Sequence, residues 1–349
     1  MLSSTKKTPV RERFPLGETP WPTPDPFLFC VYHRDRYPAG NEKLGPQADL
    51  SKRQLGQDFT LQDGWRMYHG QEVPGFPGHP HCGFETLTVV TEGWVDHADS
   101  LNAAGRYGAG DVQWMTAGSG IQHSEMFPVL NPDGENPLEL FQIWLNLPRK
   151  SKQATPCYKM FWNEDIPVVE LTANNDSQTK VGQLTLIAGT LPENITTAKA
   201  PAPPPDSWAN DPDHDVAVWL FELEPQGEWT LPAAHKDSHR FLYFFAGESL
   251  ELAGETVKPQ GFALQADREV SLKNGAAPAR LLLLQGKPIQ ESVAQYGPFV
   301  GNTRADIVAA HEKYMKDQFG GWPWPNHEPV HGQQGRFARY PDGTEETRP

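Results

Sequence analysis

The sequence is poor in cysteine, lacks a long apolar run and carries fewer basic than acidic residues. Its 349 residues include only Cys30, Cys82 and Cys157, which lie far apart and form no CxxC pair. An odd number of isolated cysteines is not the pattern of a disulfide framework or a zinc knuckle, and it favours a reducing compartment. No apolar stretch approaches the length of a membrane span, and the first residues lack the apolar core of a signal peptide. We therefore expect a cytoplasmic protein that does not contact a membrane.

The charge balance narrows the class of partner. The chain has 30 Lys and Arg against 44 Asp and Glu, a formal net charge of −14, and no dense basic run. This balance argues against direct nucleic-acid binding through neutralised phosphates. If the chain has a macromolecular partner, we expect a protein.

Length and composition indicate the architecture. A chain of 349 residues exceeds the usual size of one domain, so two domains are expected. The chain is rich in Pro (34) and Gly (31), and 11% of its residues are aromatic. This composition favours many short strands and turns over long helices, which predicts an all-β fold.

The stretch Phe76–Met126 carries the candidate chemistry. It contains HPH at His79 and His81 and HSE at His123 and Glu125, separated by short apolar runs and Gly-rich turns. In an extended strand, side chains at i and i+2 point to the same face. If the two segments face each other inside a barrel, three imidazoles and one carboxylate converge.

The identity of the fourth ligand stays open at this point. By the same alternation Glu85, six residues after His79, also faces inward. Spacing alone does not decide between Glu125 and Glu85. Three imidazoles and a carboxylate suit a divalent transition metal such as Fe(II), Mn(II), Ni(II), Cu(II) or Zn(II).

Two segments carry a resemblance to a known family. HPHCGFETLTVVTEG and GDVQWMTAGSGIQHSEM resemble the signature segments of the pirin family, within the cupin superfamily. The resemblance implies two tandem cupin barrels, each a double-stranded β-helix or jelly roll, with a short C-terminal helix. It also implies an iron site, Fe(II) above all, with His79, His81, His123 and Glu125 as ligands.

The resemblance assigns roles to two further residues. Glu85 becomes a carboxylate outside the ligand set, facing the ligands or the substrate. Cys82 stands where most pirin relatives have Arg. Because alternation turns Cys82 away from the ligands, we expect the metal site to be kept.

The resemblance to pirins implies quercetin 2,3-dioxygenase activity, in which O2 cleaves the central ring of a flavonol. Glu125 would accept the substrate proton, and Glu85 could assist. The alternative is a non-enzymatic, iron-dependent redox sensor that binds a protein partner. A flat aromatic substrate would lie against those barrel-wall residues that alternate inward, among Phe84, Leu87, Val89, Trp114, Met115 and Trp144.

The predicted domains follow the chain in order. They are an N-terminal arm (1–25), a metal-binding cupin domain (26–150), a second cupin domain without metal ligands (151–320) and a polar, Pro-rich surface tail (321–349). Within this tail, Trp322 and Trp324 are expected to dock on the body of the protein. The boundary is placed at 148–155. A helix is expected over Thr303–Phe319, capped by Thr303, with Ile307, Ala310, Tyr314 and Met315 on one face.

The second half repeats the strand spacing of the first but not its ligands. His235 and His239 stand four apart where an HPH motif would be, and no histidine follows Gly261 at the corresponding distance. A metal site needs all its donors to converge. We therefore expect one metal per chain, in the first half.

Several local predictions complete the sequence reading. His33 is expected at the surface or in a hydrogen bond, and His97 is expected to face solvent. Trp65–His69 is a candidate strand. Asn102–Gly110 and most of 156–170 are expected to be loops.

Overall fold

The computed structural model describes residues 8–17, 20–173 and 176–349. The chain forms two compact units. Residues 31–163 and 291–349 make up one unit, here called the first barrel. Residues up to 30 and 164–290 make up the other, the second barrel. The predicted all-β fold with a short helix near the C-terminal end is confirmed.

The units are interleaved in sequence. The contacts divide the chain near residues 30, 163 and 290, whereas the predicted boundary lies at 148–155. The assignment of linear domains therefore stays a prediction.

Strands dominate the described part of the chain. The first twelve are β1 (Val10–Phe14), β2 (Phe27–Tyr37), β3 (Gly75–His81), β4 (Phe84–Glu92), β5 (Trp94–Asp99), β6 (Ala104–Gly108), β7 (Val112–Thr116), β8 (Ile121–Met126), β9 (Asn136–Asn146), β10 (Cys157–Phe161), β11 (Val168–Ala173) and β12 (Asp176–Ala188). The others are β13 (Ala217–Leu223), β14 (Glu228–Leu231), β15 (His239–Ala246), β16 (Leu250–Leu252), β17 (Glu255–Val257), β18 (Gln260–Leu264), β19 (Val270–Asn274), β20 (Ala279–Gly286), β21 (Ala294–Tyr296), β22 (Phe299–Gly301), β23 (Arg336–Arg339) and β24 (Glu345–Arg348). The α-helix, α1, spans Arg304–Asp317.

Two sheets build the first barrel. A five-stranded sheet has the order β10-β7-β4-β9-β2, and a six-stranded sheet has the order β24-β23-β6-β5-β8-β3. In the first sheet β4 pairs antiparallel with both β7 and β9. In the second sheet β8 lies between β3 and β5, again antiparallel to both. This arrangement brings the HPH and HSE motifs onto neighbouring strands.

The second barrel has a seven-stranded sheet, β1-β18-β15-β20-β13-β12-β11, and a four-stranded sheet, β14-β19-β16-β17. Its interior is a continuous cluster of buried apolar side chains. β1 comes from the N-terminal segment and extends the sheet at its edge by pairing with β18. Burial of apolar surface is the main stabilising force in folding, so we expect this cluster to supply most of the stability of the unit.

Helix α1 begins at the predicted cap. The Thr303 hydroxyl accepts a hydrogen bond from the Asp306 amide, and the Asp306 carboxylate accepts one from the Thr303 amide, which together form a capping box. Ile307, Ala310 and Tyr314 pack against a small buried cluster, as predicted. The predicted position of Met315 on the same face was wrong, since its side chain is 69% exposed.

The C-terminal segment is part of the first barrel rather than a surface tail. Strand β23 pairs with β6, and β24 pairs with β23. Phe337 and Ala338 are buried, and the Arg336 guanidinium forms a bidentate ion pair with Asp111. The prediction of a surface tail was therefore wrong for these strands, because their pairing partner lies more than 200 residues earlier in the chain.

The two tail tryptophans dock as predicted. Trp324 donates its indole N–H to the Asp99 carbonyl at 2.8 Å. Trp322 stacks on His327 and lies against Gly78, where an added Cβ would come within 3.1 Å of its ring. The segment therefore covers the outside of β3.

Several local predictions differ from the structure. The stretch predicted as a loop around residue 105 contains β6, and the stretch 156–170 contains β10 and the start of β11. Conversely, Trp65–His69 makes only isolated bridges instead of a strand. His33 is buried, with its ring 4.8 Å from that of Tyr68. These segments depend on pairing with distant strands, which a local pattern does not record.

Candidate metal centre

Strands β3 and β8 bring three histidines together. His79 and His123 are directly paired in the antiparallel register, and His81 follows two residues along β3 on the same face. Their ring centroids lie 4.6 to 4.8 Å apart. One donor nitrogen from each can be chosen so that all three lie within 4.8 Å of one another. The structure brings the three imidazoles together, as the sequence predicts.

The backbone of β3 orients the His79 ring. Its Nδ1 lies 2.8 Å from the Pro77 carbonyl oxygen. Because a carbonyl oxygen can only accept a hydrogen bond, Nδ1 is the ring nitrogen that carries the proton. The other nitrogen, Nε2, is then a lone-pair donor and lies 3.1 Å from Nε2 of His81. Carbonyl contacts of this kind fix the tautomer and the ring orientation of metal-ligating histidines.

The buried histidines have nitrogens without protein partners. Both ring nitrogens of His123 and Nδ1 of His81 are buried and make no hydrogen bond to any residue that the structure describes. Burial lowers the pKa of all three site histidines, to about 4 for His79. The rings are therefore neutral at pH 7, the form that binds metals. Unpartnered buried nitrogens around one point fit a metal ion, which would satisfy them.

Glu125 lies at the edge of this cluster. Its Oε1 accepts hydrogen bonds from the hydroxyls of Thr88 (2.6 Å) and Tyr107 (3.3 Å), and its Oε2 accepts one from the Gln142 amide at 2.6 Å. Oε2 is 3.9 Å from Nε2 of His123. Burial raises the pKa of Glu125, opposed first by the Thr88 hydroxyl. The carboxylate is near the three imidazoles, while its role as fourth ligand stays a prediction.

Glu85 does not face the histidines. Its carboxylate accepts a hydrogen bond from the Thr116 hydroxyl at 2.6 Å. The even-numbered residues at the start of β4 face the site instead, since Phe84 contacts the His81 ring and Thr88 contacts Glu125. Its predicted inward orientation was wrong because strict alternation does not continue through Gly83, whose φ is 85°. A role for Glu85 in catalysis stays a prediction.

Aromatic rings line one side of the centre. Phe84 and Trp144 pack together with ring centroids 4.4 Å apart, and they lie 5.1 and 5.4 Å from the His81 ring. Trp144 is paired across the sheet with Thr86, so it shares the inward face of β4. The other wall candidates divide by alternation. Met115 shares this face, whereas Leu87, Val89 and Trp114 lie on the opposite one.

His97 belongs to the surroundings of the site, although it was predicted to face solvent. It is fully buried, stacks on Tyr158, and its ring centroid is 5.5 Å from that of His123. Its Nε2 lies 3.2 Å from the Asp99 carboxylate. The prediction was wrong because later residues cover the strand, with His331 contacting the His97 carbonyl. Alternation with the buried Val95 was the signal that could have placed it inward.

Cys82 lies outside the centre, as alternation predicted. It packs against Phe299 and Phe319, and its thiol points to the Gly118 carbonyl at 3.5 Å. Burial raises its pKa to about 11, so the thiol is protonated and unreactive at pH 7.

The comparison with family models decides the family. The pirin model matches residues 26–145, and the model of the pirin C-terminal cupin domain matches residues 218–320, which together cover more than half of the chain. The chain belongs to the pirin family. The two tandem cupin barrels expected for a pirin are thereby confirmed.

Several proteins of other organisms are similar in sequence to this pirin. It is 36% identical to a protein of Pseudomonas aeruginosa named "Putative quercetin 2,3-dioxygenase", over 69% of this chain and 79% of that protein. It is 34% identical to Pirin-1 of Arabidopsis thaliana, over 70% and 78% of the two chains. It is 30% identical to Pirin of Mus musculus, over 70% and 77%.

A solved structure shares the fold. The quercetin 2,3-dioxygenase of Acinetobacter baumannii superposes with a TM-score of 0.65 over 90% of this chain and 96% of that chain, at 24% identity. Within the described residues, no helix has both the length and the apolar character needed to cross a bilayer. The cytoplasmic location stays a prediction.

Proposed function

We propose that this pirin is a metal-dependent dioxygenase that cleaves a flavonol or a similar phenol with O2, and that its metal is Fe(II). His79, His81, His123 and Glu125 would hold the ion. The observation that carries the proposal is the convergence of three neutral imidazoles, two of them buried with unpartnered nitrogens. The relatives of Pseudomonas aeruginosa named for quercetin 2,3-dioxygenation support the choice of substrate class.

The metal would supply coordination positions for dioxygen and for a chelating phenol, which three nitrogens and one oxygen leave open on a six-coordinate ion. The protein keeps the donors neutral and fixed, since burial holds the histidines unprotonated and the Pro77 carbonyl orients His79. The site would therefore be ready to bind without rearrangement.

Glu125 is the proposed proton acceptor. A flavonol that chelates the ion would bind in its deprotonated form, so its hydroxyl proton would have to move to a base. Glu125 is the carboxylate next to the three imidazoles, and burial raises its pKa in the metal-free site. Thr88, Tyr107 and Gln142 hold the carboxylate in place, so the proton acceptor keeps one orientation.

The Phe84–Trp144 pair would hold the aromatic substrate. Both rings lie within 5.4 Å of the His81 ring, so a flat molecule next to the histidines would contact aromatic surface. Such surface selects for planar rings and does not by itself distinguish one flavonol from another phenol.

An oxygen electrode tests the proposal. Wild type, His79→Ala and His239→Ala are each supplied in turn with Fe(II), Mn(II), Ni(II), Cu(II) or Zn(II). O2 uptake with quercetin is recorded for every combination. His239 is an exposed histidine of the second barrel and serves as the matched control. We expect uptake by wild type and His239→Ala and none by His79→Ala. If no metal gives uptake above the His79→Ala trace, the dioxygenase proposal is wrong and the redox sensor with a protein partner takes its place.

A further inference from the structure

A buried arginine in the second barrel lacks an anionic partner. Arg240, on β15, is 1% exposed. Within the described residues, its one hydrogen bond runs from Nη1 to the Pro232 carbonyl at 2.6 Å, while Nε and Nη2 have no partner. No carboxylate of the described residues forms an ion pair with it. Burying a guanidinium without an anion is costly, and arginine does not lose its charge at neutral pH.

The two unpartnered donors form one edge of the guanidinium. Nε–H and one Nη2–H point in the same direction, the geometry that receives the two oxygens of a carboxylate. Two other buried arginines of this chain use that same edge. Arg106 binds both oxygens of Asp96 at 2.7 and 2.6 Å, and Arg336 binds both oxygens of Asp111 at 3.0 and 2.6 Å. The corresponding edge of Arg240 is not bound by a carboxylate of any described residue.

Asp215, the acidic residue that acts electrostatically on Arg240, is engaged elsewhere. Asp215 accepts hydrogen bonds through Oδ2 from the Ser238 hydroxyl at 2.5 Å and from the His235 amide at 3.1 Å. It raises the pKa of Arg240 slightly, against a larger lowering by burial that brings the pKa to about 10. Asp215 is therefore a neighbouring charge and not the missing partner.

A second unpartnered group faces the same side of the sheet. Gln285 of β20 is the direct cross-strand partner of Arg240. Its side-chain N–H donates to the Asp215 carbonyl at 3.4 Å, while its buried Oε1 accepts no hydrogen bond from the part of the chain that is described. Directly opposed side chains lie on one face about 5 Å apart at Cβ. Two donors and one acceptor therefore stand side by side.

The pair lies at a defined place in its barrel. Strands β15 and β20 are neighbours inside the sheet of the second barrel, as β4 and β9 are in the first. Arg240 and Gln285 are at the start of β15 and the end of β20, as Phe84 and Trp144 are near the start of β4 and the end of β9. The second barrel thus has polar groups at the end where the first has its histidines.

We propose that the second barrel binds a small hydroxycarboxylate at Arg240 and Gln285. The carboxylate oxygens accept the Nε–H and Nη2–H of Arg240, and the hydroxyl group donates to Oε1 of Gln285. A single negative charge suits the site better than a phosphate dianion, because one arginine faces it and Asp215 lies nearby. This site is separate from the proposed metal centre and does not depend on it.

Isothermal titration of the full chain with glycolate and acetate tests the proposal. A chelator removes metal beforehand, so that a carboxylate does not bind at the first barrel through an ion. We expect wild type to bind glycolate more tightly than acetate, since acetate has no hydroxyl group. Arg240→Met should abolish binding of both, and Arg240→Lys should weaken it by about tenfold or more because the two-donor edge is lost. Arg268→Met, at an exposed arginine of the same barrel, is the matched control and should bind as wild type does.

Two further results make the test independent of a misfolded variant. Gln285→Met leaves Arg240 in place and should keep acetate binding while losing the preference for glycolate. Crystals grown with glycolate should show it against Nε and Nη2 of Arg240. Equal glycolate binding by wild type and Arg240→Met, no binding by wild type, or a water alone at that edge would each overturn the proposal.

Discussion

The two barrels of this pirin share a strand arrangement and differ in what fills them. The interior of the second barrel is built mainly from leucine, valine, phenylalanine, tryptophan and alanine, with Arg240 and Gln285 as buried polar residues at one end. In the first barrel, the corresponding face of the central strands carries Thr88, Gln142 and the aromatic pair, and it meets His123 and Glu125. Buried polar groups stabilise less than apolar ones and are costly when unpartnered. Apart from Arg240 and Gln285, the interior of the second barrel is largely apolar. The fold therefore does not require as many buried polar groups as the first barrel has, and these are explained by its site.

The largest expected effect removes a metal donor. His123→Ala should lower metal affinity by more than the roughly 10–100-fold typical of a lost supporting contact, so that the purified variant contains almost no metal. Glu125→Ala should weaken binding in the same direction. Elemental analysis of wild type should give one metal per chain.

Glu85→Gln is the matched control for this prediction, and it should keep the metal because Glu85 faces away from the histidines. A variant pair with the opposite result, in which Glu85→Gln loses the metal and Glu125→Ala keeps it, would show that the ligand assignment is wrong. Two metals per chain would contradict the contrast between the barrels.

The next effect concerns the strands that close the first barrel. Arg336→Met leaves Asp111 buried without its cation and should lower the free energy of unfolding by about 3–5 kcal/mol. Arg339 lies on the same strand as Arg336 and forms an exposed ion pair with Glu345 of β24. Arg339→Met removes this pair and should lower the free energy of unfolding by about 0–1 kcal/mol. Urea unfolding measures both. Equal effects of the two substitutions would mean that the buried Arg336–Asp111 pair contributes no more than the exposed pair.

A pair of interior substitutions compares the barrels directly. Leu283→Ala in the second barrel should cost about 2–5 kcal/mol of unfolding free energy and leave the metal content unchanged. Thr88→Val in the first barrel keeps the volume but removes the hydrogen bond to Glu125, so it should cost about 1 kcal/mol. It should also weaken metal binding by about 10–100-fold. The comparison fails if Leu283→Ala alters metal content or Thr88→Val does not.

The smallest expected effect is a pH dependence in the first barrel. Burial lowers the pKa of His33 to about 3, assisted by Arg66, whereas the unfolded chain keeps a value near 6.5. Between these values the unfolded state binds a proton that the folded state does not, so stability falls as the pH drops below about 6.5. His33→Phe should reduce this slope by up to about 1.4 kcal/mol per pH unit.

Unfolding curves measured from pH 7 to pH 4 on the metal-free protein test the His33 prediction. His239→Gln, at an exposed position, should leave the slope as in wild type. An unchanged slope in His33→Phe would mean that another group carries the acid sensitivity.

The local sequence was sufficient for some features and not for others. The three histidines could be placed because i and i+2 positions on a strand share a face whatever the strand pairs with. The cap of α1 at Thr303 could be predicted because capping is local. The orientation of Glu85 could not be predicted, because Gly83, a glycine with positive φ between β3 and β4, changes which side chains face inward.

Pairing between distant segments explains the remaining differences. β6 is short and glycine-rich and becomes a strand by pairing with β5 on one side and with β23 on the other. His97 is buried because residues after 320 pack over its strand. The preferences of a segment for a strand depend on its neighbours in the sheet, and these neighbours are far apart in sequence.

The interleaved order of the units has a consequence for synthesis on the ribosome. Domains generally fold as the chain emerges, beginning with the N-terminal part. Here the unit that begins at residue 31 also needs β23, so it is completed after the second barrel, whose residues end at 290. The proposed metal centre belongs to this unit, so its surroundings, which include the contact of His331 with His97, are complete only after the residues that follow 320 have been made.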